Sequence, residues 1–169
     1  MGNTFRSQKR TDLLGKIEMV QPIPARSFKV ITEAKAGDIT LKVMSYNILA
    51  SNLAGVDWHS HTIEEVLDFK YRGPRIVKEI VQANCDVVCL QELDQLEFYT
   101  EQLSKHGYML QQVTRHVKTD GVGIAWKSDV LKKLSDQHID FDLLVGQYDE
   151  RYRKDNHGQL IHFEHVSGK

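Results

Sequence analysis

The chain has 169 residues and only two cysteines, Cys85 and Cys89, which excludes a disulfide-built scaffold. They stand at C-x-x-x-C inside an apolar run, so they read as buried free thiols and suit a reducing compartment. No stretch approaches the ~18–20 apolar residues of a membrane span. No excess of one charge sign exists either: the formal net charge is −1, which excludes a strongly basic nucleic-acid clamp. It leaves room for a nucleic-acid enzyme whose basic groups sit only in its cleft. The sequence lacks G-x-S-x-G, a Walker A loop and G-x-G-x-x-G. What remains is 41% hydrophobic and 27% charged, enough for one domain with a real core.

The charge is unevenly spread. Residues 1–36 hold seven Lys/Arg against three Asp/Glu, whereas residues 37–169 hold fifteen against twenty. Two of the three prolines, Pro22 and Pro24, lie in the first part. Residues 1–36 are therefore read as a basic, flexible tail and residues 37–169 as the domain. Met1-Gly2 is followed by Arg6 where myristoylation needs Ser or Thr, and no apolar signal core follows, so neither acylation nor secretion is expected.

Residues 39–49 alternate and then become mainly apolar, which reads as a strand buried on both faces. Ser51, Asn52 and Gly55 mark a loop, and residues 56–72 suit a short helix plus loop. Gly73-Pro74 breaks the chain, with Pro74 placed for the first turn of a helix that carries Ile76, Val77, Ile80 and Val81 on one stripe. Asp86 opens a short apolar strand, V-V-C-L. Asp94-x-x-Glu97 resembles a capping box ahead of a second helix that stops near Gly107. Residues 108–113, 122–126 and 160–166 read as strands, Asp120-Gly121-Val122-Gly123 as a turn, and residues 144–158 as loop. Helices between early strands and hairpin-like late strands predict an α/β fold with a mixed sheet.

Two polar residues end buried strands. Asn47 closes M-S-Y-N; an unpaired amide there costs about 1–3 kcal/mol, so it either caps the next loop or holds a ligand oxygen. Glu92 follows V-V-C-L-Q and precedes a helix, so it either caps that helix or holds a hard cation such as Mg2+ together with substrate phosphate. The two meet only if their strands are neighbours with aligned C-termini, as a β-α-β crossover through the 74–83 helix provides. The pairs His59/His61 and His162/His165 lack cysteine or carboxylate partners at matching spacing and define no metal site.

Five segments then occur in order: M-S-Y-N-I-L-A (44–50), Tyr71-Arg72 with I-V-K-E-I (76–80), D-V-V-C-L-Q-E (86–92), H-G-Y (106–108) and D-G-V-G-I-A-W-K (120–127). Together they resemble the endonuclease/exonuclease/phosphatase superfamily. Within it they are most similar to the branch containing the catalytic deadenylase of the Ccr–Not complex, nocturnin, angel and the 2′-phosphodiesterase. A weaker similarity at Asp155-Asn156 extends it toward the last residue.

The resemblance implies an α/β fold, the N-terminal half of a four-layer α/β sandwich. It also implies Mg2+-dependent hydrolysis of phosphate esters. Asn47 matches the family's catalytic asparagine near the scissile phosphate, and Glu92 its metal-binding glutamate. The implied substrate is the 3′ end of RNA, often poly(A), or a nucleotide, such as the 2′-phosphate of a nicotinamide dinucleotide in nocturnin-like members. Tyr71 and Arg72 match a family segment but are read as structural. Family domains run to roughly twice this length, still within single-domain size. The later N-T-H, G-D-x-N and S-D-H motifs do not occur. The expectation is a truncated member, inactive by itself. Its alternatives are a non-catalytic binding or decoy module and an unrelated interaction domain. The leucine-rich repeats through which such proteins meet a deadenylase scaffold do not occur either. A cytoplasmic location is expected, with a nuclear or mitochondrial one open.

Overall fold

In the computed structural model, a four-stranded mixed sheet carries two main helices on one face and a β-hairpin on the other. The structure describes residues 37–145 and 150–167; the basic tail lies outside them. The elements run β1 (Val43–Asn47), α1 (Glu64–Leu67), α2 (Phe69–Ala83), β2 (Val87–Leu93), α3 (Leu96–Ser104), β3 (Tyr108–Thr114), β4 (Gly121–Lys127), β5 (Leu131–Asp140), α4 (Phe141–Val145), a 3-10 turn (Glu150–Tyr152) and β6 (His157–His165). The first sheet has the order β1-β2-β4-β3. Among the described strands only β1 and β2 are parallel, joined through the helices; β2–β4, β3–β4 and β5–β6 are antiparallel.

The stripe on α2 buries Ile76, Val77 and Ile80. These meet Val88 and Leu90 of β2, Tyr99 and Leu103 of α3, Tyr108 of β3 and Ala125 of β4 in one core. Fully burying each aliphatic side chain contributes about 1.5–3 kcal/mol. The other face of the sheet is covered on its β3–β4 side by the hairpin. Trp126 packs on Phe163 with ring centroids 5.3 Å apart, and Gln111 donates to Asp136 at 2.7 Å.

Four local expectations need correction. The first strand is shorter than 39–49 and is not buried on both faces. Among the described strands it lies at the sheet edge, and only one of its faces is covered: Met44 and Tyr46 pack against the core while Val43 is 60% exposed. Gly73-Pro74 does not start α2. Asp68 caps the helix five residues earlier, accepting from Lys70 N at 2.7 Å, and Phe69 is locked edge-on against Phe98 at 5.0 Å. Those contacts outweigh the one backbone donor that Pro74 lacks. Gly73 is small for a reason: a Cβ there would come within 2.8 Å of the Phe69 ring and 3.1 Å of the Phe98 ring.

Asp94 does not cap α3; its carboxylate accepts from Ser51 N at 2.7 Å, and Gln95 takes the cap position without a side-chain bond. Gly121 and Gly123 are not turn residues but lie within β4. A Cβ on Gly121 would overlap the carbonyl oxygen of Val113 on β3, and one on Gly123 would meet Leu93 at 2.6 Å. Strand–strand approach, not turn geometry, requires these glycines. Both cysteines are free; Cys85 is buried and Cys89 half-buried, and burial pushes both thiols up.

Candidate active site

The parallel pairing of β1 and β2 sets Asn47 opposite Gln91, with both C-termini at the same end of the sheet. There β2 bulges between Gln91 and Leu93, and Glu92 adopts a positive φ of 58°. A left-handed backbone at a non-glycine residue costs about 1–3 kcal/mol and persists where surroundings hold it. Those surroundings are visible. Asn47 Nδ2 donates to Glu92 Oε1 at 2.7 Å, and Ala50 N donates to Glu92 Oε2 at 3.1 Å. Asn47 Oδ1 in turn accepts from Leu49 N at 2.9 Å. The loop-capping role and the convergence of the two residues thus occur together. Glu92 lies within the bulged end of β2 rather than after the strand, and it caps no helix among the described residues.

Arg72 fastens this loop from α2. Its Nε donates to Leu67 O at 2.8 Å, and its Nη1 to Ile48 O at 3.0 Å and Leu49 O at 2.9 Å. The structural reading of Arg72 is the one the geometry supports. Tyr71 lies on the same helix, with the Arg75 guanidinium 5.0 Å above its ring.

A cavity of about 430 Å³ opens at this sheet end, lined by Asn47, Glu92, Arg115, Gly121, Asn156 and His157 among others. Its chemistry is mixed: an amide, a carboxylate, a guanidinium and an imidazole. Arg115 pairs with the buried Asp120 at 3.1 Å, and its five N–H donors leave others for a ligand. Beneath His157 lies a connected group. His157 Nε2 is 2.9 Å from Asp155 Oδ1, His138 Nε2 is 2.6 Å from His157 Nδ1, and His116 Nε2 is 3.3 Å from Asp140 Oδ2. Asp155 also accepts from Val117 N at 2.9 Å and His116 N at 3.0 Å. The Val117 amide first, then His157 and the His116 amide, hold its carboxyl far below the usual range.

Sequence reasoning missed Arg115 and this histidine group. The signal was partial. Asp140 and His157 are register partners on the β5–β6 hairpin, so drawing that hairpin brings His138 and Asp140 beside His157. Nothing in the sequence places His116 there. His59/His61 and His162/His165 take no part in the potential metal-binding group found among the described residues.

The fold and the site define an α/β protein with a polar cavity at the aligned ends of two parallel strands, and the comparisons agree. No family model matches the chain. A probable RNA exonuclease of Schizosaccharomyces pombe is 33% identical over 141 residues, covering 80% of this chain and 27% of that protein. The angel homolog 2 protein of Bos taurus is also 33% identical over 141 residues, covering 80% of this chain and 24% of its own. Carbon catabolite repressor protein 4 homolog 6 of Arabidopsis thaliana is 28% identical over 146 residues, covering 75% and 19%.

The crystal structure of ANGEL2, described as a 2′,3′-cyclic phosphatase, superposes with a TM-score of 0.64 at 27% identity, covering 75% of this chain and 37% of that one. The human nocturnin catalytic domain has a TM-score of 0.59 at 20% identity, covering 76% and 46%, and supports the fold. The chain belongs to the endonuclease/exonuclease/phosphatase superfamily, and its relatives are of the carbon catabolite repressor 4, angel and nocturnin type. It spans about a fifth to a quarter of the length of those curated relatives.

Proposed function

We propose that this chain carries one half of the active site of a Mg2+-dependent phosphoric ester hydrolase, a 3′–5′ exoribonuclease of the deadenylase type when joined to the rest of its domain. The observation that carries the reading is the 2.7 Å bond between Asn47 and Glu92 at the aligned ends of β1 and β2, on the wall of the cavity.

The donor chemistry fits Mg2+. Each oxygen of Glu92 accepts one N–H and retains further lone pairs. One or two carboxylates plus water and substrate phosphate make the usual Mg2+ site. When bound, Mg2+ would polarise a phosphate oxygen and offset the charge that grows on it. The remaining roles fall to the chain. Glu92 supplies one oxygen ligand, held by the amides of Asn47 and Ala50. Asn47 fixes that carboxylate and presents its own amide beside the reacting phosphate. Arg115 offers guanidinium donors to the phosphate charge.

On this reading, the group that deprotonates water and the group that protonates the leaving oxygen lie outside these 169 residues, and the chain by itself does not turn over. A second reading, nucleotide phosphatase, is favoured by the likeness to ANGEL2.

The test is a hydrolysis panel run with Mg2+ and with EDTA on the natural polypeptide: oligoadenylate RNA, a 2′,3′-cyclic nucleotide and a 2′-phosphorylated nicotinamide dinucleotide. Mg2+-dependent loss of 3′ residues from the RNA supports the exonuclease reading. Turnover of only the small nucleotides replaces it with the second. No Mg2+-dependent turnover of any of them leaves a binding module.

A further inference from the structure

We infer that His116, Asp155 and His157 form a second cation site, one for a borderline divalent metal of the Zn2+ type, with a ligand set separate from Glu92. The inference does not rest on the hydrolytic reading. Each of the three residues offers a ligand atom, and these atoms lie within 4.8 Å of one another. They come from different parts of the chain. His116 lies in the loop after β3, Asp155 just before β6, and His157 begins β6.

The donor set selects the metal. Two imidazoles and one carboxylate match zinc, whereas Mg2+ takes oxygen. Metal–donor bonds of about 2.0–2.2 Å put tetrahedral donors about 3.3–3.6 Å apart. His157 Nε2 and Asp155 Oδ1 are already 2.9 Å apart. The His116 side chain is 65% exposed, and its ring stands edge-on to that of His157 at 4.6 Å, so a side-chain rotation closes the third position.

The surroundings are those of a held site. The His157 side chain is 1% exposed and that of Asp155 15%. His138 Nε2 lies 2.6 Å from His157 Nδ1, which fixes the ring and aims Nε2 at Asp155. Backing a ligand imidazole through its other nitrogen is how proteins orient metal-binding histidines. Asp155 is pinned by two backbone amides at a positive φ of 55°. Asp140, 3.3 Å from His116 Nε2, can orient that ring or supply an oxygen as the fourth ligand. A hydrogen-bonded fastener between the 115–120 loop and the hairpin would use many of the same bonds, so the test must read the metal.

The test is a Co2+ titration of the full chain after EDTA treatment, followed by visible absorption, with Zn2+ as competitor. The expected result is one strongly absorbing Co2+ per chain, with a four- or five-coordinate spectrum that one equivalent of Zn2+ abolishes and millimolar Mg2+, which displaces only weakly absorbing six-coordinate Co2+ from oxygen donors, does not. His116→Ala, at an exposed position, should keep the far-UV circular dichroism and weaken Co2+ binding at least tenfold. His116→Cys should restore binding and add a thiolate-to-cobalt absorption in the near ultraviolet. Glu92→Gln should leave the spectrum unchanged. No Co2+ spectrum, or one of equal strength in His116→Ala, overturns the inference and leaves the cluster as a fastener.

Discussion

Removing the Arg72 guanidinium should loosen the loop that builds the site. Arg72 donates to the carbonyl oxygens of Leu67, Ile48 and Leu49, all at 3.0 Å or less. Hydrogen bonds from a charged donor contribute about 1.5–3 kcal/mol each when buried. Arg72 is only partly buried, and water can reach some of the vacated carbonyls, so about 1 kcal/mol per bond is the better figure. Arg72→Ala should then cost about 3 kcal/mol. For a chain of this size, that lowers Tm by roughly 10 °C. Arg72→Lys keeps the charge but loses the planar fork, and should recover less than half of the loss. The assay is equilibrium unfolding in urea, followed by tryptophan fluorescence and by circular dichroism. An Arg72→Ala midpoint that corresponds to a loss under about 0.5 kcal/mol, the size of an ordinary surface change, refutes the reasoning.

Three other outcomes follow from contacts elsewhere in the sheet and core. Gly121→Ala puts a methyl into the Val113 carbonyl across β3 and β4, and should cost about 1–3 kcal/mol in urea unfolding, where an ordinary strand position gains from the same change. Tyr108→Phe leaves the Cys85 carbonyl, now bonded at 2.6 Å, without its donor inside the core, and should cost about 1–3 kcal/mol by the same assay. The Tyr108 phenol is pushed up to about 12, chiefly by burial. A raised folded-state value means that its contribution to stability is complete below the ordinary tyrosine value of about 10 and is lost as pH rises from there toward 12. Phenolate absorbance at 295 nm should therefore lag behind that of an unfolded control over this range, and the lag should shrink in Tyr108→Phe.

The sequence was most informative where one force dominated. The stripe Ile76, Val77, Ile80 defined the core face of α2 because apolar spacing alone decides it. The strand patterns defined β2, β3, β4 and β6 to within a few residues. The convergence of Asn47 with Glu92 was legible because a β-α-β connection aligns strand ends, and the 2.7 Å bond between them is that alignment.

What escaped reading depended on contacts distant in sequence. Pro74 marks a break locally, but Asp68 and the Phe69–Phe98 packing start the helix earlier. The mainly apolar run after Lys42 suggested a two-sided strand, yet the chain turns away at Leu49, φ 59°, and only the Met44–Tyr46 face of β1 is covered. Gly121 looked like turn chemistry because nothing local shows a neighbouring carbonyl. The imidazole cluster joins His116 to Asp155 across 39 positions, a pairing with no periodic signature.

The most direct test of the central claim, that Glu92 and its amide partners hold a divalent cation against a phosphate, is a Mn2+ titration monitored by the electron paramagnetic resonance of free Mn2+. Manganese stands in for magnesium, adenosine 5′-monophosphate supplies phosphate oxygens, and the His116→Ala background removes the imidazole site. The account predicts one bound Mn2+ that excess Mg2+ displaces, and at least tenfold weaker binding in His116→Ala/Glu92→Gln, with circular dichroism confirming that the double variant is folded. Equal Mn2+ binding with and without the Glu92 carboxylate would contradict it.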